Sequence, residues 1–366
     1  MFPLEHFYYG QLVHHRKPQK DMRLLAKSAQ ISDEQIAEAI RYALATPSEV
    51  LEQGTWALVR GRKTPFFVVQ SQKGSAGQLI LHYIVLSSDI LRSLAGNIRV
   101  LAELIQDKLP VYDQLGDELV PLTLANPNTI PVDEQIDDLL ELMTIAKNKM
   151  NTIENLLAAI INGLPLVIIN APKEVHTRVN FIQGLLTLLP SSTRYGVTFA
   201  TSSNSKTQLN LQLRFVDEDS IPSGSIIFEW ESGKIEGDIP QDDYSHFIIS
   251  QFRLDPSLVV QQTETLTPIA GWRFRNGDSL AAALAYASYR TKVDKSVTNN
   301  QPVEVADVSK VLSNDPTLTP DLRVAYSRHL INLSLAIEDM QFTDPVAVML
   351  HNNKALAQEI HKQMSD

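Results

Sequence analysis

Leu4 to Val13 alternates, with Phe7 and Tyr9 set against His6 and Tyr8, and this period of two predicts an N-terminal strand. Pro18 marks a turn, and Met22 to Lys27 reads as a short partner strand. Ser32 with Gln35 three residues on has the form of a capping box, after which Ile36, Ile40, Ala43 and Leu44 recur at helical spacing until Pro47. Strands follow at Thr55 to Arg60, Phe66 to Ser71 and Gln78 to Leu86, separated by the hairpin-sized loops RGRKTP and QKGSAG. Ile90, Leu91, Leu94, Ile98, Leu101 and Ile105 then share one helical stripe that Pro110 stops. The predicted order is β-β-α-β-β-β-α.

The stretch from Pro121 to Pro131 has three prolines and predicts a linker. Val132 to Ile145 reads as a helix whose acidic start (Asp133, Glu134, Asp137, Asp138, Glu141) is a solvated face favoured by the helix dipole. A helix over Ile153 to Ile161, capped by Gly163, leads into the uninterrupted apolar run Leu164 to Ile169. Such a run predicts a strand buried on both faces, which Pro165 either confines to an edge or starts one residue later. Two neighbouring apolar stripes between Val175 and Leu189 predict a helix buried against more than one partner. Strands are expected at Arg194 to Thr201, Gln208 to Val216 and Ser225 to Glu231; in the second, Leu209, Leu211, Leu213 and Phe215 point one way. Beyond Phe252 the pattern becomes helical, with starts near Asp278, Thr319-Pro320 and Asp344-Pro345.

The expected architecture is therefore α+β and α/β. It comprises a five-stranded antiparallel sheet domain over 1–120, a linker over 121–131, an α/β middle domain over 132–262 and a helical C-terminal module over 263–366. A length of 366 residues with 44% hydrophobic residues supports packed cores. A formal charge of −10 argues against a nucleic-acid partner. Two basic stretches stand out, HHRKPQK at His14 to Lys20 and RGRK at Arg60 to Lys63, and both read as solvated turns. The chain has no cysteine, no spanning-length apolar run and no signal-peptide layout at its N-terminus, so a cytoplasmic protein with no membrane insertion is expected.

Chemistry is sparse. Gly74-Ser75-Ala76-Gly77 lacks the lysine and hydroxyl of a phosphate-binding loop, and neither G-x-G-x-x-G nor G-x-S-x-G occurs. His14 and His15 face opposite sides of a strand, and Asp217, Glu218 and Asp219 do not fit a calcium loop. No catalytic, cofactor or metal residue can be assigned. The polar loop Thr201-Ser202-Ser203-Asn204-Ser205-Lys206-Thr207, with Arg194 upstream, is either a hairpin connection or a partner- or anion-contacting loop. Arg194, Thr201, Ser202, Ser203, Asn204 and Lys206 are accordingly the candidate partner contacts.

The segment LEHFYYGQLVHHRKPQKDMRLLAKSAQIS resembles the N-terminal domain of the bacterial GTPase-associated protein family. LLAAIINGLPLVIINAP and LLTLLPSSTRYGVTFATSS are similar to that family's middle domain, chiefly through LLP-x-x-x-R-x-G-x-T-F-A-T. The element order is also the layout of longin-like (profilin-like) domains, and the whole resembles the tripartite DENN modules that promote nucleotide exchange on small GTPases. These resemblances imply a non-catalytic partner of a small Ras-like GTPase, an exchange factor or an adaptor. Two alternatives stay open: an enzyme with its site at an interdomain cleft, and a structural subunit of a larger assembly.

Overall fold

A three-residue strand, β1 (Phe2–Leu4), precedes the alternating aromatic stretch, which forms β2 (His6–His14). The hairpin to β3 (Lys17–Lys27) turns at His15 and Arg16, with φ of 47° and 62°, the left-handed geometry of a two-residue loop. Pro18 thus lies inside β3 and not at the turn, which is tolerated because β3 is the edge of its sheet. The computed structural model describes residues 2–63, 66–124, 130–204, 211–216, 221–336, 343–352, 354, 357–358 and 361–362.

Helix α1 (Asp33–Tyr42) begins at the expected capping box: Gln35 N–H donates to Ser32 Oγ at 3.2 Å and Ser32 N–H to Gln35 Oε1 at 3.0 Å. Its apolar face, with Ile36 and Ala39, packs on Phe7, Ala57, Val59, Phe67, Val69 and Leu81. Strands β4 (Thr55–Arg60), β5 (Phe66–Lys73) and β6 (Leu79–Leu86) form close to the expected bounds, and each is buried almost throughout. Together with the first hairpin they stand in the spatial order β4-β5-β6-β2-β3, every neighbouring pair antiparallel.

The single helix expected from Ile90 to Ile105 is broken into α2 (Ser88–Ser93) and α3 (Arg99–Ala102). Ala95 and Gly96 take left-handed φ of 50° and 83° between them, and a Cβ on Gly96 would lie 2.4 Å from Arg194 Cδ. The helical stripe gives way because Arg194 occupies the space and takes the Ala95 carbonyl. In the proline-rich stretch expected to be a linker, β7 (Leu122–Leu124) pairs with β1.

Helices α4 (Val132–Ile145) and α5 (Met150–Ile161) precede β8 (Leu166–Ile169). The strand begins one residue after Pro165 and lies between two parallel neighbours, so its side chains meet protein on both faces. Helix α6 (Val175–Thr187) is buried nearly all round, and Gly184 permits its crossing of α4: a Cβ there would sit 2.8 Å from the Asp138 carbonyl oxygen. Strands β9 (Phe199–Ser203), β10 (Leu213–Val216), β11 (Ile226–Glu229) and β12 (Lys234–Glu236) complete the sheet, followed by α7 (Asp243–Leu254) and α8 (Pro256–Arg275). Leu211, Leu213 and Phe215 are buried together as the alternation requires, whereas Leu209 lies outside the described residues.

The two predicted sheet regions are one sheet. β4 pairs antiparallel with β9, at Ala57 to Ala200 and Leu58 to Phe199, giving ten strands in the order β12-β11-β8-β10-β9-β4-β5-β6-β2-β3. Pairing satisfies two edges that would otherwise present open donors and acceptors. Thr201 locks the seam, its Oγ1 accepting from Trp56 N–H and donating to Trp56 O, both at 3.1 Å.

The chain divides into two compact units, Met1–Thr267 and Pro268–Asp366. The second unit holds the C-terminal turns of α8 with α9 (Leu280–Thr298), α10 (Val305–Asn314), α11 (Pro320–Ala336) and α12 (Asp344–Asn352). Its core gathers Val293, Val308, Val311, Leu312, Tyr326 and Leu330. Ser279 caps α9, while Asp278 pairs with Arg273 instead. The protein is thus mixed α+β with a large mixed sheet, and no described helix is long and apolar enough to cross a membrane.

Candidate functional site

The candidate contacts of the sequence fall mostly in the interior. Arg194 begins a 3₁₀ turn (Arg194–Gly196) and is 3% exposed. Its guanidinium donates to Leu189 O at 2.9 Å, Gln135 Oε1 at 3.1 Å, Ala95 O at 3.3 Å and Thr187 O at 3.4 Å. Burial pulls its pKa down to about 10, so it stays charged at neutral pH. Because that turn displaces the strand start to Phe199, Thr201, Ser202 and Ser203 become the buried end of β9 and not the beginning of a loop. They present no contact surface. Asn204 is half-buried, and Lys206 lies outside the described residues.

Beside Arg194 a polar cluster joins α3, α4 and α6. Arg99 pairs with Asp138 and donates from Nε to Asn180 Oδ1 at 3.1 Å. Asp138, expected on a solvated helix face, is 3% exposed, and burial raises its pKa against the opposing pull of Arg99. A hollow of about 250 Å³ lies nearby, lined by Gln135, Ser191, Arg194, Thr263 and Thr267 among others.

The larger concavity, about 520 Å³, opens where α1 and β4 end and β9 and β10 begin. Three arginines line it. Arg41 comes from the last turn of α1, Arg60 from the end of β4 and Arg62 from the following turn. Aromatic rings hold them: the Arg41 guanidinium lies 5.3 Å from the Tyr42 centroid, that of Arg60 lies 5.7 Å from Phe66, and Arg62 Nη1 donates to Tyr42 Oη at 3.4 Å. None of the three pairs with a carboxylate among the described residues. The nearby Glu34 and Glu38 are engaged by Lys63, through its Nζ and its N–H respectively, each at 2.7 Å.

The opposite wall is built by a reciprocal clasp. Thr198 N–H donates to Gln212 Oε1 at 3.3 Å, and Gln212 N–H to Thr198 Oγ1 at 3.2 Å. The Gln212 side chain also carries an amide N–H2 group on this wall. Guanidinium groups do not serve as bases at neutral pH, so this geometry suits holding an anion more than proton transfer. RGRK was visible in the sequence as a basic turn; Arg41 and Gln212 were not, since they arrive from other parts of the chain.

A histidine pair is buried on the β2–β6 surface. His6 Nε2 bonds to Val120 O at 2.9 Å and must be the donor, so His6 Nδ1 accepts from His82 Nε2, also at 2.9 Å. His82 Nδ1 is then a buried acceptor with no hydrogen-bond partner among the described residues. Burial and the adjacent His6 push the His82 pKa from 6.5 down to about 3. Its folded value lies below its unfolded one, so its stabilising contribution is full above pH 6.5 and is lost as pH falls towards 3. The expected loss is about 2 kcal/mol by pH 5 relative to pH 7.5. Urea midpoints at the two pH values check this, with His82→Gln expected to flatten the difference.

Among the described residues no group of three His, Cys, Asp or Glu is placed to hold a metal ion. No family model matches the chain, and no curated protein matches it. The class the fold and site define is therefore architectural: a mixed α+β protein on a ten-stranded sheet, with an arginine-lined groove and a separate helical unit.

Proposed function

We propose that this chain is a non-catalytic partner of a small Ras-like GTPase, acting as a DENN-like exchange factor or adaptor. The reading rests on the strand order β4-β5-β6-β2-β3, with α1 inserted between β3 and β4 and α2 following β6, the layout expected of a longin-like unit. An α/β half and a helical unit come after it, in the sequence of a tripartite module. Exchange in such a protein needs no acid, base or metal of its own. Tighter binding to the nucleotide-free GTPase than to its nucleotide-bound forms shifts the population towards release.

The test uses the full chain and small Ras-like GTPases from the same genome, beginning with any encoded in a neighbouring gene. Immobilised chain should retain the nucleotide-free form in preference to the GDP and GTP forms, and should speed release of a fluorescent GDP analogue. Retention without faster release marks an adaptor. Failure to retain the GTPase in any nucleotide state overturns the reading.

A further inference from the structure

The groove at the ends of α1 and β4 concentrates three cations in a chain whose formal charge is −10. Like charges gathered in one concavity repel, and an ordinary surface disperses them or interleaves carboxylates. Among the described residues no carboxylate lines the groove, and Glu34 and Glu38 on α1 are taken up by Lys63. Aromatic side chains engage the arginines without ion pairing: the rings of Tyr42 and Phe66 lie against Arg41 and Arg60, and Arg62 donates one N–H to the Tyr42 hydroxyl. Gln212, a lining residue of the facing wall, carries a neutral amide donor group as well.

We infer that this groove binds a small oligophosphate, either free or as the phosphate chain of a nucleotide. Guanidinium forks match phosphate oxygens two at a time, and several phosphates in a row supply enough charge to engage three forks together. A volume of about 520 Å³ accommodates a ligand of that size. Lys17, Lys20 and Arg23 on the edge strand β3 lack this convergence. They lie spaced along an exposed edge, where charge discourages pairing with another chain. The inference stands independently of GTPase binding, since it concerns a ligand of the isolated chain.

Titration calorimetry of the full chain at low salt tests it, with sodium tripolyphosphate, pyrophosphate and orthophosphate as probes. Tripolyphosphate should bind at least about tenfold more tightly than orthophosphate, because each added charge-assisted contact contributes a comparable factor. ATP and GTP run in parallel identify whether a nucleoside carries the chain. The variant Arg41→Gln/Arg60→Gln/Arg62→Gln should weaken tripolyphosphate binding by about tenfold or more, and Lys17→Gln/Lys20→Gln should leave it unchanged. Arg62→Gln alone, checked for an unaltered melting profile, provides the same comparison if the triple variant folds poorly. Absence of tripolyphosphate binding, no preference for the longer phosphate chain, or equal binding by the folded arginine variants overturns the inference.

Discussion

Replacing Arg290 by methionine should cost the helical unit about 3–5 kcal/mol, the usual consequence of removing one member of a buried ion pair. Arg290 is 1% exposed, and its Nη1 meets Asp315 Oδ2 at 2.6 Å while its Nε meets Asp294 Oδ1 at 2.9 Å. The two acids are also held by neutral donors, Tyr286 and Thr317 on Asp315 and Tyr326 on Asp294. Those bonds survive the substitution, but Asp315, whose side chain is fully buried, loses its counterion where water does not reach. Hydrogen exchange on the full chain reads the effect by region. Amides of α9, α10 and α11 should lose protection, while those of β4, β5 and β6 keep theirs. Arg290→Met/Asp315→Asn should recover part of the loss by removing the stranded charge. A loss under about 1 kcal/mol would show that the pair contributes no more than an exposed one.

Arg194→Met should destabilise the first unit by about 3 kcal/mol or more. Arg194 satisfies the carbonyls of Ala95, Thr187 and Leu189 and the Gln135 side chain at one point, and each acceptor left bare in the interior costs about 1–3 kcal/mol. Release of a desolvated cation offsets part of that cost. Arg194→Lys should restore little, since a single ammonium cannot span acceptors arranged around a planar fork. Urea denaturation of the full chain measures both variants. A partner contact on the surface would behave differently, leaving the unfolding midpoint within the small range usual for exposed substitutions. Loss of GTPase retention by an Arg194 variant would therefore need to be read beside its stability.

These two arginines illustrate what a linear pattern conveys. LLPSSTRYG marks Arg194 as unusual, a lone charge after an apolar helix, but whether that charge faces a partner or the interior depends on Ala95 and Gln135, far away in the chain. Arg290 sits in an alanine-rich helix with Asp294 one turn on, but its second and fully buried acid, Asp315, lies beyond another helix. The groove follows the same rule. RGRK was legible as basic, yet its convergence with Arg41 and Gln212 follows from how α1 and β10 are placed.

Periodicity determined the elements themselves. Alternation set β2, apolar segments between turn-rich loops set β4, β5 and β6, an unbroken apolar run set the doubly covered β8, and the Ser32 capping box began α1 where expected. Each of these depends on which side of a short segment avoids water, and a few neighbouring residues specify that. Tertiary structure alone decided that β4 joins β9 into one sheet, that Ala95 and Gly96 interrupt a helix, and that Thr201, Ser202 and Ser203 are interior. Edge pairing and the burial of polar side chains are satisfied by partners such as Trp56 and Thr201, 145 residues apart, and that complementarity exists only once the chain has folded.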